Sequence, residues 1–317
     1  MLNIKLELPE GFLEEEERDG YLVSAEMKKI WAVELDLLNE FMRVCKEHGI
    51  RWFADGGTIL GAIRHNGMIP WDDDIDVCMY REDYEKLCEI APAAFKAPYF
   101  FQTEETDRGS MRGHAQLRNS STTGMLKMED KRHVLYNQGI FLDIFPLDDL
   151  PEEQEERAHY MSDCFKTLLD AREYTYFWEN MYRRTGLKGF VKNIITTLRH
   201  VYDFKNPIYE DFKKKCVKYQ NTNTPLFGKV MFRYREKLVL KKAWFSDVTY
   251  HKFEMLEIPL PNGYEDFLNQ FYGNWKEFVI GGGAHGGVFF DPEKSYLEYV
   301  HEDRYDRFIK KVDRRRG

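Results

Sequence analysis

Trp71-Asp72-Asp73-Asp74-Ile75-Asp76-Val77-Cys78-Met79 places four carboxylates within five residues and then runs straight into an apolar stretch. That continuation has the character of a buried strand. Side chains alternate faces along an extended chain, so the pattern predicts Asp72, Asp74 and Asp76 on one face, with Asp73 and Ile75 on the other. Carboxylates crowded on one face repel, and burying them is costly unless a cation neutralises them. Oxygen ligands at this density suit Mg²⁺ or Mn²⁺, and those ions suit phosphate. The plainer alternative is a solvated acidic turn, and the apolar continuation argues against it.

Upstream, Asp55-Gly56-Gly57-Thr58 opens a short helical stretch over residues 59–64. A helix start has unpaired N–H groups and the positive end of the dipole, so Gly56, Gly57 and Thr58 are candidates to cradle a phosphate. Arg64 and His65 lie between this turn and the acids and could supply positive charge, the alternative being ordinary ion pairs. The next expected elements are a helix over 81–91 and strands over 99–102, 113–118 and 122–126. The last two are joined by the polar turn Asn119-Ser120-Ser121. A further apolar strand covers 139–146, with Pro146 ending it. Asp143 sits inside that strand with no sequence-local partner. An unpaired buried Asp is expensive, so it must meet a metal, act as a base or pair with Arg118 or Arg112. Arg118 is a candidate for a bidentate phosphate contact. Asp148 and Asp149 read as surface residues.

At 317 residues the chain can bury one large or two modest cores. A formal charge of −8 argues against a general nucleic-acid binder, whose footprint should be basic. The scattered residues Cys45, Cys78, Cys88, Cys164 and Cys216 suggest a reducing compartment rather than a disulfide framework. The N-terminus lacks signal-peptide character, and no apolar run is long enough to span a membrane. The expectation is a cytoplasmic protein, with the basic run Lys310, Lys311, Arg314, Arg315 and Arg316 able to approach the inner membrane face. Ahead of the acids, residues 24–48 have helical spacing, with Ser24 as cap and Gly49 as stop. Composition shifts at Pro151. The expected organisation is a catalytic core over 1–150, a mainly helical insertion over 151–240, and a segment over 241–317 that completes the catalytic unit. In that last segment residues 253–259 alternate like one strand, and residues 264–271 form a short helix.

Residues 57–76 resemble the signature of the LicD family of phosphocholine transferases, which includes the fukutin-type enzymes. Gln116-Leu117-Arg118 with Thr122-Thr123, residues 139–151, and Phe253-Glu254 with Tyr272-Gly273-Asn274-Trp275 resemble further family blocks. The resemblance implies an α/β (α+β) fold, with a nucleotidyltransferase-like mixed sheet flanked by helices. It implies Asp74 and Asp76 as Mg²⁺ ligands, Asp72 extending their face, and Asp143 as the third acid. The implied reaction moves phosphocholine from CDP-choline to a sugar hydroxyl of a cell-surface glycan or its lipid-linked precursor, releasing CMP. Fukutin-type relatives resemble transferases of ribitol phosphate from CDP-ribitol. The rivals are a true nucleotidyltransferase and a non-catalytic nucleotide- or glycan-binding relative. Choline binds over ring faces, so Trp71, Trp275 and the cluster Tyr174, Tyr176, Phe177 and Trp178 are cage candidates. Glu254 is a candidate for the acceptor sugar or an arginine, and His285 for a lid.

Overall fold

The acids are carried by two strands, β4 (Asp76–Tyr80) and β8 (Ile140–Asp149), which run side by side in parallel with Asp76 opposite Asp143. The computed structural model describes residues 2–126, 136–175, 186–191, 194, 206–280 and 287–300. A small hairpin, β1 (Glu16–Arg18) and β2 (Tyr21–Val23), precedes the long helix α1 (Ala25–His48). The Ser24 hydroxyl accepts the Met27 N–H, and Gly49 closes the helix at φ +60°, a conformation glycine adopts without Cβ strain. Then come β3 (Phe53–Ala54), α2 (Gly56–His65), β4, α3 (Arg81–Ala94), β5 (Tyr99–Gln102), β6 (Ala115–Asn119), β7 (Thr123–Leu126) and β8.

Beyond β8 the chain forms α4 (Gln154–Thr175), α5 (Pro207–Cys216), β9 (Leu226–Gly228) and β10 (Val239–Lys241). It finishes with β11 (Val248–Phe253), β12 (Leu256–Pro261), α6 (Tyr264–Tyr272) and β13 (Val288–Asp291). Seven strands form a mixed sheet in the order β10-β9-β8-β4-β3, with β6 and then β5 alongside the first half of β8. Helix α1 packs on β6 and β8, and α3 packs on β4, β5 and β8. The core between these layers holds Trp31, Leu35, Leu38 and Phe41 of α1 with Val77, Leu142 and Ile144 of the sheet, all fully buried. Among the described residues no helix is long and apolar enough to cross a membrane.

The mixed α/β sheet flanked by helices agrees with the sequence reading, and five local readings need correction. Pro146 does not end its strand. The Asp143 N–H donates to Ile75 on the β4 side, so the alternation turns position 146 to the opposite edge. There β6 has ended, its register running out at Ala115 opposite Ile144, and β9 pairs only from Asp148 onward. Proline's missing N–H falls in that gap. The strands on either side of Asn119-Ser120-Ser121 do not pair with each other: β6 joins the main sheet, and β7 pairs with β13.

Residues 253–259 belong to a hairpin of two strands, β11 and β12, with Glu254 at φ +54° in the turn. The stretch 151–240 is helical in α4 and α5, yet β9 and β10 extend the main sheet through β8. Asp148 and Asp149 are not surface residues. The Asp148 carboxylate is fully buried and takes two hydrogen bonds from Arg81, at 2.6 and 2.9 Å, while Asp149 pairs with Lys242 at 2.6 Å.

Candidate active site

The acidic stretch is a loop that becomes a strand only at Asp76. With no strand over 72–75, the face alternation does not hold there. Asp73 does not turn away, because one carboxylate oxygen from each of Asp72, Asp73 and Asp74 lies within 4.8 Å of the others. The loop is pinned from two sides. Trp31 Nε1 of α1 donates to the Asp72 carbonyl at 2.9 Å, and the Asp72 N–H donates to the Ile69 carbonyl at 2.9 Å.

Helix α2 starts against these acids. Asp55 caps it by accepting the Gly56 N–H at 2.9 Å, and Thr58 Oγ1 accepts the Asp76 N–H at 2.8 Å. Thr58 is buried and engaged in joining α2 to β4. The two glycines allow the carboxylates to come close. A Cβ on Gly57 would sit 2.9 Å from Asp72 Oδ2, and one on Gly56 would sit 3.6 Å from Asp76 Oδ2.

Charge is unevenly matched here. Burial, followed by the charges of Asp76 and Asp72, pushes the Asp74 carboxyl well above the ordinary range. Burial, then Asp143 and Asp55, pushes Asp76 up as well, against the pull of Lys229. Asp143 goes the other way. Burial opposes its ionisation, but His114 Nε2 at 3.0 Å and Gln116 Nε2 at 2.6 Å both bond its Oδ1, and the charges of His114 and Arg112 help hold it below the ordinary range. Asp72, Asp73 and Asp74, with one oxygen of each within 4.8 Å of the others, are close enough together to hold a hard divalent cation, and the repulsion among the acids is what such an ion relieves.

Arg118 is not at the surface of this site. Its guanidinium is buried over the Phe141 ring and bonds Gln102 Oε1, the Gly139 carbonyl and Gln116 Oε1. Burial and the charge of Arg112 lower its pKa to about 9. The arginine orients Gln116, which bonds Asp143, so it acts at one remove. Arg64 bonds the Trp275 and Glu277 carbonyls, each at 3.1 Å, and stands over the Phe278 ring. His65 Nδ1 meets Asp19 at 2.5 Å. Trp71 is half-buried, edge-on to Tyr21 and His65. Gly57, Arg64, Trp71, Asp72, Tyr272 and Trp275 line one cleft of about 370 Å³. Glu254 bonds Arg18 and the Met68 N–H, so it fixes the loop ahead of the acids.

Tyr176, Phe177, Trp178, His285 and the basic run 310–316 lie outside the described residues, as does the side chain of Tyr174. The sequence reading missed Glu34, Lys229 and His114. Lys229, 7% exposed, pairs with Asp55 and lies over the Phe145 ring. A signal existed for two of them. Glu34 interrupts Ala32-Val33-Leu35 on a buried helix, and Lys229 interrupts Phe227-Gly228-Val230-Met231. A charge inside an apolar run calls for a partner.

Acids on adjacent parallel strands, set against glycines at a helix start, define a transferase-like centre suited to phosphate and a cation. Residues 49–177 match the family model described as LicD/FKTN/FKRP, nucleotidyltransferase domain. The lipopolysaccharide cholinephosphotransferase LicD of Haemophilus influenzae is 29% identical over 258 residues, covering 76% of this chain and 88% of that protein. The ribitol 5-phosphate transferase FKRP of Homo sapiens is 48% identical over 40 residues, 13% of this chain and 8% of that protein. Residues 49–177 thus match the LicD family's nucleotidyltransferase domain, and the likeness to LicD extends over 76% of the chain.

Proposed function

We propose that this protein transfers a substituted phosphate, foremost phosphocholine, from a CDP-alcohol to a sugar hydroxyl of a cell-surface glycan or its precursor. It is a phosphotransferase. The observation that carries the reading is the cluster of Asp72, Asp73 and Asp74 leading into Asp76, which lies opposite Asp143, beside the start of α2 and the aromatic cleft. Asp72, Asp74, Asp76 and Asp143 would hold Mg²⁺ or Mn²⁺, which neutralises diphosphate charge and steadies the leaving CMP.

The remaining work belongs to the chain. Gly56 and Gly57 admit the carboxylates and present the helix start to phosphate. Arg64 faces the same cleft. Asp143 suits the role of ligand better than that of base: it is held ionised by His114 and Gln116, which both bond its Oδ1. Trp71, Tyr272 and Trp275, with Asp72 among them, suit a cationic head group that offers no hydrogen-bond donor. In the reaction the acceptor oxygen bonds the head-group phosphorus, the bond from that phosphorus to the CMP oxygen breaks, and the hydroxyl proton is lost.

Contact with a membrane-linked acceptor is supported by a helical stretch at 186–191 and 194. There Leu187, Phe190, Val191 and Ile194 are exposed at helical spacing, in a sequence that also carries Arg183, Arg184, Lys188 and Lys192.

Incubation with CDP-choline, CDP-ribitol and other CDP-alcohols, with Mg²⁺ or with EDTA, tests the reading. Metal-dependent CMP release, greatest with CDP-choline, is the expected result. Pyrophosphate released from a nucleoside triphosphate would make the protein a nucleotidyltransferase instead. CDP-choline binding that is unchanged in EDTA, without turnover, would make it a binding protein.

A further inference from the structure

Helix α1 lies before the region matched by the family model, yet it sends one carboxylate toward the acids. Glu34 is 1% exposed, and its Oε2 has no hydrogen-bond partner. A buried carboxyl oxygen left unbonded is costly, and a chain of this size tolerates few of them. Its surroundings are specific. Residues 31 and 34 are three apart on α1 and share a face, and Trp31 is bonded from that face to the Asp72 carbonyl. The carboxylates acting on Glu34 are Asp73, Asp72, Asp76 and Asp143, and Glu34 acts in turn on Asp74. The orphaned oxygen therefore lies in the field of the cluster whose Asp72, Asp73 and Asp74 oxygens lie within 4.8 Å of one another, on the helix face that Trp31 fastens to it.

We propose that Glu34 is an additional carboxylate of the cation site, reaching from α1 to a hard divalent ion held over the Asp72–Asp74 loop. The inference rests on the cation reading given above and adds to it a ligand from outside the matched domain. In this arrangement Trp31 sets the height of the loop, and Glu34 closes the side of the site that faces the core. Asp73, which the strand reading turned away, then has a place beside the same ion. The ion supplies the partner that Oε2 lacks, so binding it also ties α1 to the loop.

Titration of the full chain with Mn²⁺ alone, by calorimetry and by the loss of the free Mn²⁺ paramagnetic resonance signal, tests this without any substrate. The unsubstituted protein should bind Mn²⁺. Glu34→Gln, which keeps the shape of the side chain, should bind it about 10- to 100-fold more weakly, while melting in EDTA at the same or a higher temperature. Glu34→Asp, which retracts the carboxylate by one methylene, should fall between the two. Equal Mn²⁺ affinity in Glu34→Gln and the unsubstituted chain would overturn the assignment of Glu34 and leave the cation reading standing. So would a Glu34→Gln protein that is only less stable in EDTA, because that is the signature of a structural carboxyl. No Mn²⁺ binding by the unsubstituted chain would overturn both. If Glu34→Gln fails to fold, the Glu34→Asp titration decides the matter by the same comparison.

Discussion

The parallel pair of β4 and β8 has acids toward both of its ends, Asp76 and Asp143 at one and Asp148 and Asp149 of β8 at the other, and the two ends are treated differently. At the far end Asp148 is met by Arg81 with two short hydrogen bonds, and Asp149 is met by Lys242. Each acid there has its cation. At the near end Asp72, Asp73 and Asp74 crowd together, Asp76 and Asp143 lie opposite each other, and the buried Glu34 feels the charges of Asp73, Asp72, Asp76 and Asp143, while Lys229 pairs with Asp55 and His114 with Asp143. The same sheet thus shows what a structural carboxylate looks like and how the near end departs from it. Acids paired with cations at one end and crowded together at the other support the proposal that the second end receives a ligand.

The largest effect should come from the crowded end. Asp76→Asn or Asp74→Asn should lower transfer by about a thousandfold or more, read as CMP release, while the metal-free protein melts no lower than before. If either variant keeps ordinary activity, the contrast between the two ends loses its functional meaning. At the far end Asp148→Asn should do the reverse. Leaving Arg81 buried without its carboxylate should cost about 3–5 kcal/mol in urea unfolding, with Mn²⁺ affinity of the folded protein unchanged.

Gly57→Ala should reduce activity by about 10- to 100-fold, through the Cβ placed 2.9 Å from Asp72 Oδ2. Stability should change little, since the side chain that must move is an aspartate at the edge of a cleft.

The two ends should also separate by pH. Asp74 and Asp76 have raised folded pKa values. The stability they contribute is fully present below their unfolded value of about 3.9 and is lost as pH rises through the folded values. The metal-free protein should therefore unfold at lower urea at pH 8 than at pH 5, Asp76→Asn should flatten that slope, and Mg²⁺ should offset it more at pH 8. A slope unchanged in Asp76→Asn would place its origin elsewhere. The smallest expected effect on stability belongs to the exposed residues Phe190 and Ile194. Their replacement by Ser should shift stability by no more than about 0.5 kcal/mol yet reduce flotation of the protein with anionic vesicles. Unchanged flotation would remove the support for a membrane-linked acceptor.

Much of the frame was legible. The helix over 24–48, the helical stretch after Gly56-Gly57, the strand from Asp76 and the strand bearing Asp143 all rest on local signals: caps, period and apolar runs. The site was legible in its acids and less so in its cations. Arg118 reads as a phosphate ligand because arginine is usually exposed, but three acceptors from three separate segments bury it. The alternation that turned Asp73 away assumed an extended backbone, and the turn held by Trp31 and Ile69 begins before any strand does. Pro146 broke a local rule only because a gap between two neighbouring strands happened to face it.

The sequence by itself determined which residues have the chemistry for the site: a run of aspartates, two glycines and an aspartate alone in an apolar strand. Those properties depend on residue type and on neighbours a few positions away, and so they are written locally. Only the tertiary structure decided which charges are neutralised. Glu34 is brought from α1, His114 and Gln116 from beside β8, and Lys229 from a segment more than 150 residues beyond the acids. Electrostatic partnership depends on distance in space and on burial, and neither can be read from spacing along the chain.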